Sequence, residues 1–117
     1  MRFAKFIPII FTLLLTACDK DDNHPVPFIL TNSYININLP SYSALQSVGG
    51  WSYIEGGNKG IFVYRQSLDI FMAYDRMSPS IDGANCDPIY YDQDNGLILV
   101  DECTNSEFSA IDGGKLS

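Results

Sequence analysis

The stretch WSYIEGGNKGIFVYR, Trp51 to Arg65, sets two runs rich in aromatic and β-branched residues on either side of Gly56, Gly57 and Gly60. Such residues suit a pleated, half-buried surface, and glycine supplies the positive φ angles of a tight reversal, so the stretch predicts a β-hairpin. Working outward, YININL (Tyr34–Leu39) alternates strictly, with Ile35, Ile37 and Leu39 on one side and Asn36 and Asn38 on the other. That period predicts a half-buried strand, ended by Pro40. Downstream, DIFMAYD (Asp69–Asp75) predicts another strand after a brief turn at Gln66–Leu68. PIYYD and LILVD flank Gln93-Asp94-Asn95-Gly96, and Asn-Gly between apolar strands is a strong hairpin cue. FSAI (Phe108–Ile111) then runs into a turn at Asp112-Gly113-Gly114. Short strands, glycine-rich turns and no sustained helical period predict an all-β fold, a small antiparallel sandwich or barrel.

The first seventeen residues, MRFAKFIPIIFTLLLTA, put Arg2 and Lys5 ahead of an apolar run from Phe6 to Leu15. The run falls short of the ~20 residues of a transmembrane helix, and its basic start and small-residue end fit a secretory signal. Leu15-Thr16-Ala17-Cys18 resembles the lipobox of bacterial lipoproteins, in which the cysteine becomes the acylated N-terminus. That resemblance implies residues 1–17 as a signal peptide and an outer-membrane lipoprotein of a Gram-negative envelope. The bilayer is then a partner, held through Cys18 without a spanning helix. Asp19-Lys20-Asp21-Asp22 resembles the surface-export signal of some of these lipoproteins, while a solvated tether kept extended by its charges is the plainer reading. Residues 18–27 lack apolar periodicity and hold Pro25 and Pro27, which marks them as a tether and residues 28–117 as the single folded domain.

Charge excludes one class of partner. The chain has seven basic and fourteen acidic residues. Arg2 and Lys5 lie in the leader, so the remainder carries five against fourteen, a formal −9. Without a basic patch to release counterions, nucleic acid is not expected as a partner. The seven tyrosines and seven phenylalanines stand mostly at strand positions, where core packing is the expected role.

Chemistry is limited by inventory. The only histidine is His24, in the tether, so Ser78 and Ser80 have no imidazole to activate them, and no enzyme is expected. Asp92, Asp94 and Asn95-Gly96 begin like a calcium loop, but the twelfth position from Asp92 is Cys103 rather than glutamate, and a hairpin turn fits better. Beyond Cys18 only Cys86 and Cys103 remain. In an oxidising compartment their parity favours a disulfide, with two inert thiols as the alternative.

Three segments in order resemble Rieske-type (ISP-type) domains. AYDRMSPS (Ala73–Ser80) is similar to the first cluster-binding loop, where a strand ends in Cys-x-His with a proline often between the ligands. DECTNSEF (Asp101–Phe108) is similar to the second loop, Cys-x-x-His followed by Gly-Ser-x-Phe, and AIDGGKL (Ala110–Leu116) to the strand and glycine turn after it. The resemblance implies a Rieske-like frame over residues 34–117. Carried over, the ligand positions fall at Ser78 and Ser80 in the first loop and at Asp101 and Thr104 in the second; Pro79, Ser106 and Phe108 keep the frame, and the glycine position falls at Asn105.

A Rieske centre needs two thiolates and two imidazoles, so this inventory implies a domain with no cluster, no metal and no cofactor. The family often has a cysteine at the Cys103 position that bonds back to the first loop. The resemblance therefore implies that a Cys86–Cys103 bridge ties the loop Asp75–Pro88 to the loop Asp101–Ser106, with Arg76 pairing a nearby carboxylate. Family members usually continue beyond the position of Ser117 into a stretch that packs along the sheet, which implies a trimmed or incomplete C-terminus and an uncovered edge. The expectation is a cluster-free binding or structural module. Its alternatives are a Rieske electron carrier completed by outside ligands, or an accessory subunit of a cell-surface uptake complex. The residues identify no particular protein partner.

Overall fold

The computed structural model describes residues 26–117; the leader, Cys18 and His24 lie outside the described residues. Six strands form two antiparallel sheets, with little helix. The first sheet holds β1 (Trp51–Ile54), β2 (Ile61–Arg65) and β3 (Phe71–Asp75); the second holds β4 (Tyr90–Asp92), β5 (Ile98–Asp101) and β6 (Ser106–Ser109). Both three-stranded sheets run in sequence order, so every link is a hairpin or short loop.

The hairpin at Trp51–Arg65 forms with Trp51 opposite Tyr64 and Ile54 opposite Ile61. Gly56, Gly57 and Gly60 all take positive φ, as a reversal there demands. The period-two pleat then sorts the side chains. Trp51, Tyr53, Phe62, Tyr64 and Tyr74 share one face, and Tyr91, Leu99 and Phe108 stand in cross-strand register on the other sheet. These faces meet in a core of Phe62, Tyr64, Ile89, Leu99 and Ala110, ringed by Trp51, Tyr74, Tyr91 and Phe108. Phe62 and Tyr91 stack with ring centres 5.1 Å apart, and Trp51 lies 5.0 Å from Tyr91. Polar tips cross the same interface: Tyr74 donates to the Ala110 carbonyl at 3.0 Å, and the Tyr91 amide donates to the Tyr53 hydroxyl at 2.9 Å. Large rings with one polar end thus bind the two sheets without orphaning a donor.

The opposite face of the first sheet carries Ile61, Val63, Phe71 and Ala73 and is covered by the chain before β1. Here the structure corrects the sequence reading. Residues 34–39 form no strand; they run unpaired into a 3₁₀ helix at Pro40–Gln46. Ile35 and Ile37 do turn to the sheet, as their alternation predicts, but the Ile37 carbonyl is satisfied by the Gln46 side chain rather than by a neighbouring strand. Leu45, fully buried, is the helix's contribution to this second layer. Arg65 fixes its end: the guanidinium donates to the carbonyls of Leu45 and Gln46, helix-end acceptors that would otherwise be orphaned, and to those of Ser67 and Leu68 in the β2–β3 turn.

Smaller departures are local. The β4–β5 hairpin forms as expected, yet its turn is organised by Asp92, whose carboxylate accepts the amides of Asp94 and Asn95, and Leu97 rather than Gly96 takes positive φ. β6 begins two residues earlier than FSAI suggests. Its outer edge is not bare: Phe108 bridges Lys115, and Glu107 and the 115–117 segment exchange backbone hydrogen bonds.

Candidate functional site

Two loops meet beyond the ends of β3 and β5. Alternation builds the meeting point, because the pleat that buries Leu99 also points Asp101 inward, and the register opposes Asp101 to Ser106 across the Glu102–Asn105 turn. Asn105 closes that turn with φ +53, in the left-handed region that asparagine tolerates better than most residues. From the other side, the chain after β3 brings Met77 and Ser78 under the first sheet. The Ile89 amide donates to the Arg76 carbonyl at 2.7 Å and the Arg76 Nε donates to the Ile89 carbonyl at 2.7 Å, so the loop's two feet are clamped together.

Asp101 and Ser78 are both fully buried. The Ser78 hydroxyl donates to Asp101 Oδ2 at 2.5 Å, while the Cys103 amide donates to Oδ1 at 3.0 Å. Thr104 Oγ1 lies 3.0 Å from Asp101 Oδ2 and 2.9 Å from Ser106 Oγ. A hydroxyl has one proton, so only one of these contacts is a Thr104 donation, and the other is closed by Ser106 when Thr104 gives its proton to the carboxylate. Ser78 Oγ also accepts from the Ser80 amide at 3.3 Å. Among the described residues no buried side-chain nitrogen or oxygen lacks a partner.

The covalent tie lies alongside. Cys86 and Cys103 form a disulfide with Cα atoms 5.7 Å apart, and Cys86 is nearly buried at the end of the 3₁₀ turn Gly83–Asn85. Gly83 is required there: a Cβ would sit 2.2 Å from the Ser78 carbonyl oxygen, so only glycine lets the turn close over the serine. Ser80 Oγ rests 3.6 Å from Cys86 Sγ, with the hydroxyl as donor since a disulfide sulfur has no proton. All four positions singled out in the sequence, Ser78, Ser80, Asp101 and Thr104, therefore converge on one junction, together with both cysteines and Ser106. Cys18 lies outside the described residues.

Arg76 departs from expectation. It pairs with no carboxylate among the described residues; its guanidinium lies 3.7 Å over the Tyr53 ring, in cation–π geometry. The nearby Asp75 is engaged elsewhere, accepting from the Asn58 amide at 2.7 Å, the Asn58 side chain at 2.8 Å, the Lys59 amide at 3.2 Å and the Met77 amide at 3.0 Å. Partial burial pushes its pKa up, but the bonds from Asn58, Met77 and Lys59 outweigh that and hold the group below the ordinary aspartate value. Nothing in GGNKG announced this clasp, because its acceptor is sixteen or more residues downstream. Under both loops lies an apolar cleft of about 190 Å³, lined by Phe62, Met77, Pro79, Ile89, Leu99 and Phe108.

Chemically, the junction is a cross-link between two loops. Ser78 donates its only proton to a carboxylate, and no imidazole lies among the described residues to accept a proton from it. Among the described residues no group of three His, Cys, Asp or Glu side chains is placed to hold a metal ion. Fold and junction together define a small disulfide-tied all-β module in which two loops are joined by a closed polar network. Compared with protein-family models, with curated proteins and with solved structures, the chain matches none.

Proposed function

We propose that this protein is an exported, Cys18-anchored lipoprotein of the outer membrane whose domain follows a Rieske-like frame without the cluster, and that it serves as a binding or structural module. The observation that carries the reading is the direct bond between Ser78 and Asp101, one ligand position from each loop, at 2.5 Å. A two-iron centre in that frame needs two thiolates and two imidazoles. The residues do not fit it: the positions hold three alcohols and a carboxylate, the hydroxyls of Ser78 and Thr104 are engaged with Asp101, and that of Ser80 lies against Cys86 Sγ. Asn105, at the frame's glycine position, has the left-handed backbone that a glycine there would serve. The disulfide supplies the loop-to-loop constraint that metal ligation supplies in a clustered domain.

Iron and acid-labile sulfide analysis of the full-length protein, with its visible spectrum, tests the domain. The expected result is neither iron nor sulfide; stoichiometric amounts of both would overturn the reading. Metabolic labelling with a radioactive fatty acid tests the anchor: label is expected on the wild-type chain and lost in Cys18→Ala.

A further inference from the structure

We infer that Phe28, Leu30 and Tyr34 form a strip that rests in the headgroup interface of the bilayer carrying the Cys18 anchor. The inference rests on the anchor reading above and adds an orientation to it. The three side chains are 92%, 86% and 88% exposed, although they are among the larger apolar and aromatic residues of the domain. They stand at even-numbered positions of an extended segment whose odd-numbered positions from Thr31 onward, Thr31, Ser33, Ile35 and Ile37, line the groove against the first sheet. One side of the segment therefore faces the sheet, most closely at the half-buried Ile35 and Ile37, and the other presents Phe28, Leu30 and Tyr34 outward, with Asn32 between the last two.

The segment is held in place while it does so. The Asn58 side chain donates to the Pro27 carbonyl at 3.0 Å, and the Gly57 amide donates to Thr31 Oγ1 at 3.1 Å, so the strip hangs from the β1–β2 turn. That is the same turn that Asp75 clasps.

Covalent reach selects the occupant. Seven residues, 19–25, separate Cys18 from Val26. A backbone spans at most about 3.6 Å per residue, so Val26 lies within ~29 Å of the anchored cysteine however the intervening chain runs. No other part of the domain is tethered so closely to the membrane. Charge agrees: residues 26–34 hold no side chain that is charged at neutral pH in an otherwise strongly acidic chain, which suits a zwitterionic headgroup layer and gives no attraction to an anionic one. Area argues against a protein occupant, since three such side chains bury at most about 600 Å², short of the ~800 Å² per partner of a stable protein interface. Tyrosine beside Phe and Leu is also the composition that interfacial segments favour.

The test uses the full-length processed protein, purified in detergent and reconstituted into phosphatidylcholine vesicles with brominated acyl chains. A fluorophore is placed at Leu30→Cys, and in a second preparation at Ile81→Cys, an equally exposed apolar position at the tip of the first loop. Quenching at position 30 is expected to exceed that at position 81 by about threefold or more. Equal quenching, or none at position 30 in protein that floats with the vesicles, overturns the inference; so does excimer formation between labels at position 30, which would assign the strip to a second copy. Protein that fails to float and whose mass shows no acyl chains overturns the anchor together with the strip, an outcome distinct from floating unquenched. Adding Phe28→Ser and Tyr34→Ser, which leave the core untouched, is expected to lower the quenching at position 30 to that at position 81. Quenching that stays unchanged sinks the strip.

Discussion

Asp75 and Asp101 end strands of different sheets, β3 and β5, and each gathers distant chain around a carboxylate, but they do so with different partners. Asp75 projects from the outer face of β3 and is satisfied by two backbone amides and the Asn58 side chain of the β1–β2 turn and by the Met77 amide, three of its four donors being backbone groups. Asp101 projects inward from β5 and is satisfied by hydroxyls from both loops and by one local amide. Removing a turn's acceptor returns its amides to water. Removing Asp101 strands the fully buried hydroxyl of Ser78 and takes a charged acceptor from the exposed Thr104 and Cys103, and an unmade buried bond costs far more than a made one contributes.

The largest predicted effect follows. Asp101→Ala is expected to lower unfolding stability by about 4 kcal/mol, the penalty of the orphaned Ser78 hydroxyl together with the loss of the other bonds to a buried carboxylate. Urea unfolding of the full-length protein measures it. A loss no greater than that of Asp75→Ala would erase the distinction between the two carboxylates.

Next in size is the disulfide. It closes a loop of sequence separation 17, for which chain entropy predicts a stabilisation of about 3 kcal/mol. Cys103→Ser should show that loss, and combining it with Asp101→Ala should cost less than the two losses added, because both constraints hold the same pair of loops. Strict additivity would mean that network and bridge act on separate parts of the fold.

The contrast sharpens at low pH. Asp75 has a folded pKa below the value of about 3.9 that an unfolded aspartate takes. Its contribution is therefore complete above pH ~4 and is lost as pH falls through the folded value. Solvent screening at this partly open site limits the effect to about 1 kcal/mol. Asp75→Asn should lose about that much at pH 7 and show a shallower acid limb between about pH 4 and 2 than the wild type. An unchanged acid limb would show that the clasp holds no charge.

What could be read in the sequence divides along similar lines. Strand pairs joined by short turns were legible, because hairpin register and turn chemistry are local: the Trp51–Arg65 hairpin and the β4–β5 pair lie where their glycines and apolar runs put them. The expected strand at residues 34–39 fails for a physical reason. Alternation reports which side chains are buried, and Ile35 and Ile37 are indeed turned to the sheet, but it says nothing of whether a partner backbone is present to pair. The helix at Pro40–Gln46 left one signal, a proline at its first turn, and buries only Leu45, too little to build a helical period. At the junction, Ser78, Ser80, Asp101 and Thr104 could be named from the loop frame, whereas the Asn58–Asp75 clasp and the Arg65 cap join residues too far apart for spacing to reveal.

The smallest predicted effect probes the contact between the sheets, on the face of β3 opposite to that of Asp75. Tyr74 reaches across to the Ala110 carbonyl, and its pKa is raised by burial and, secondarily, by the charge of Asp112. Tyr74→Phe keeps the ring against Phe62, whose centre is 6.4 Å away, and deletes one hydrogen bond, so about 1 kcal/mol should be lost at pH 7. For an acid whose folded pKa is raised, the unfolded chain ionises first, so stability declines as pH rises through about 10. The variant removes one source of that decline, and its alkaline limb should be shallower than the wild type's, although Tyr90, also raised, still contributes to it. Equal slopes would place the Tyr74 hydroxyl in contact with water, and the bond from the Tyr91 amide to the Tyr53 hydroxyl would then be the one of these two polar ties still joining the sheets.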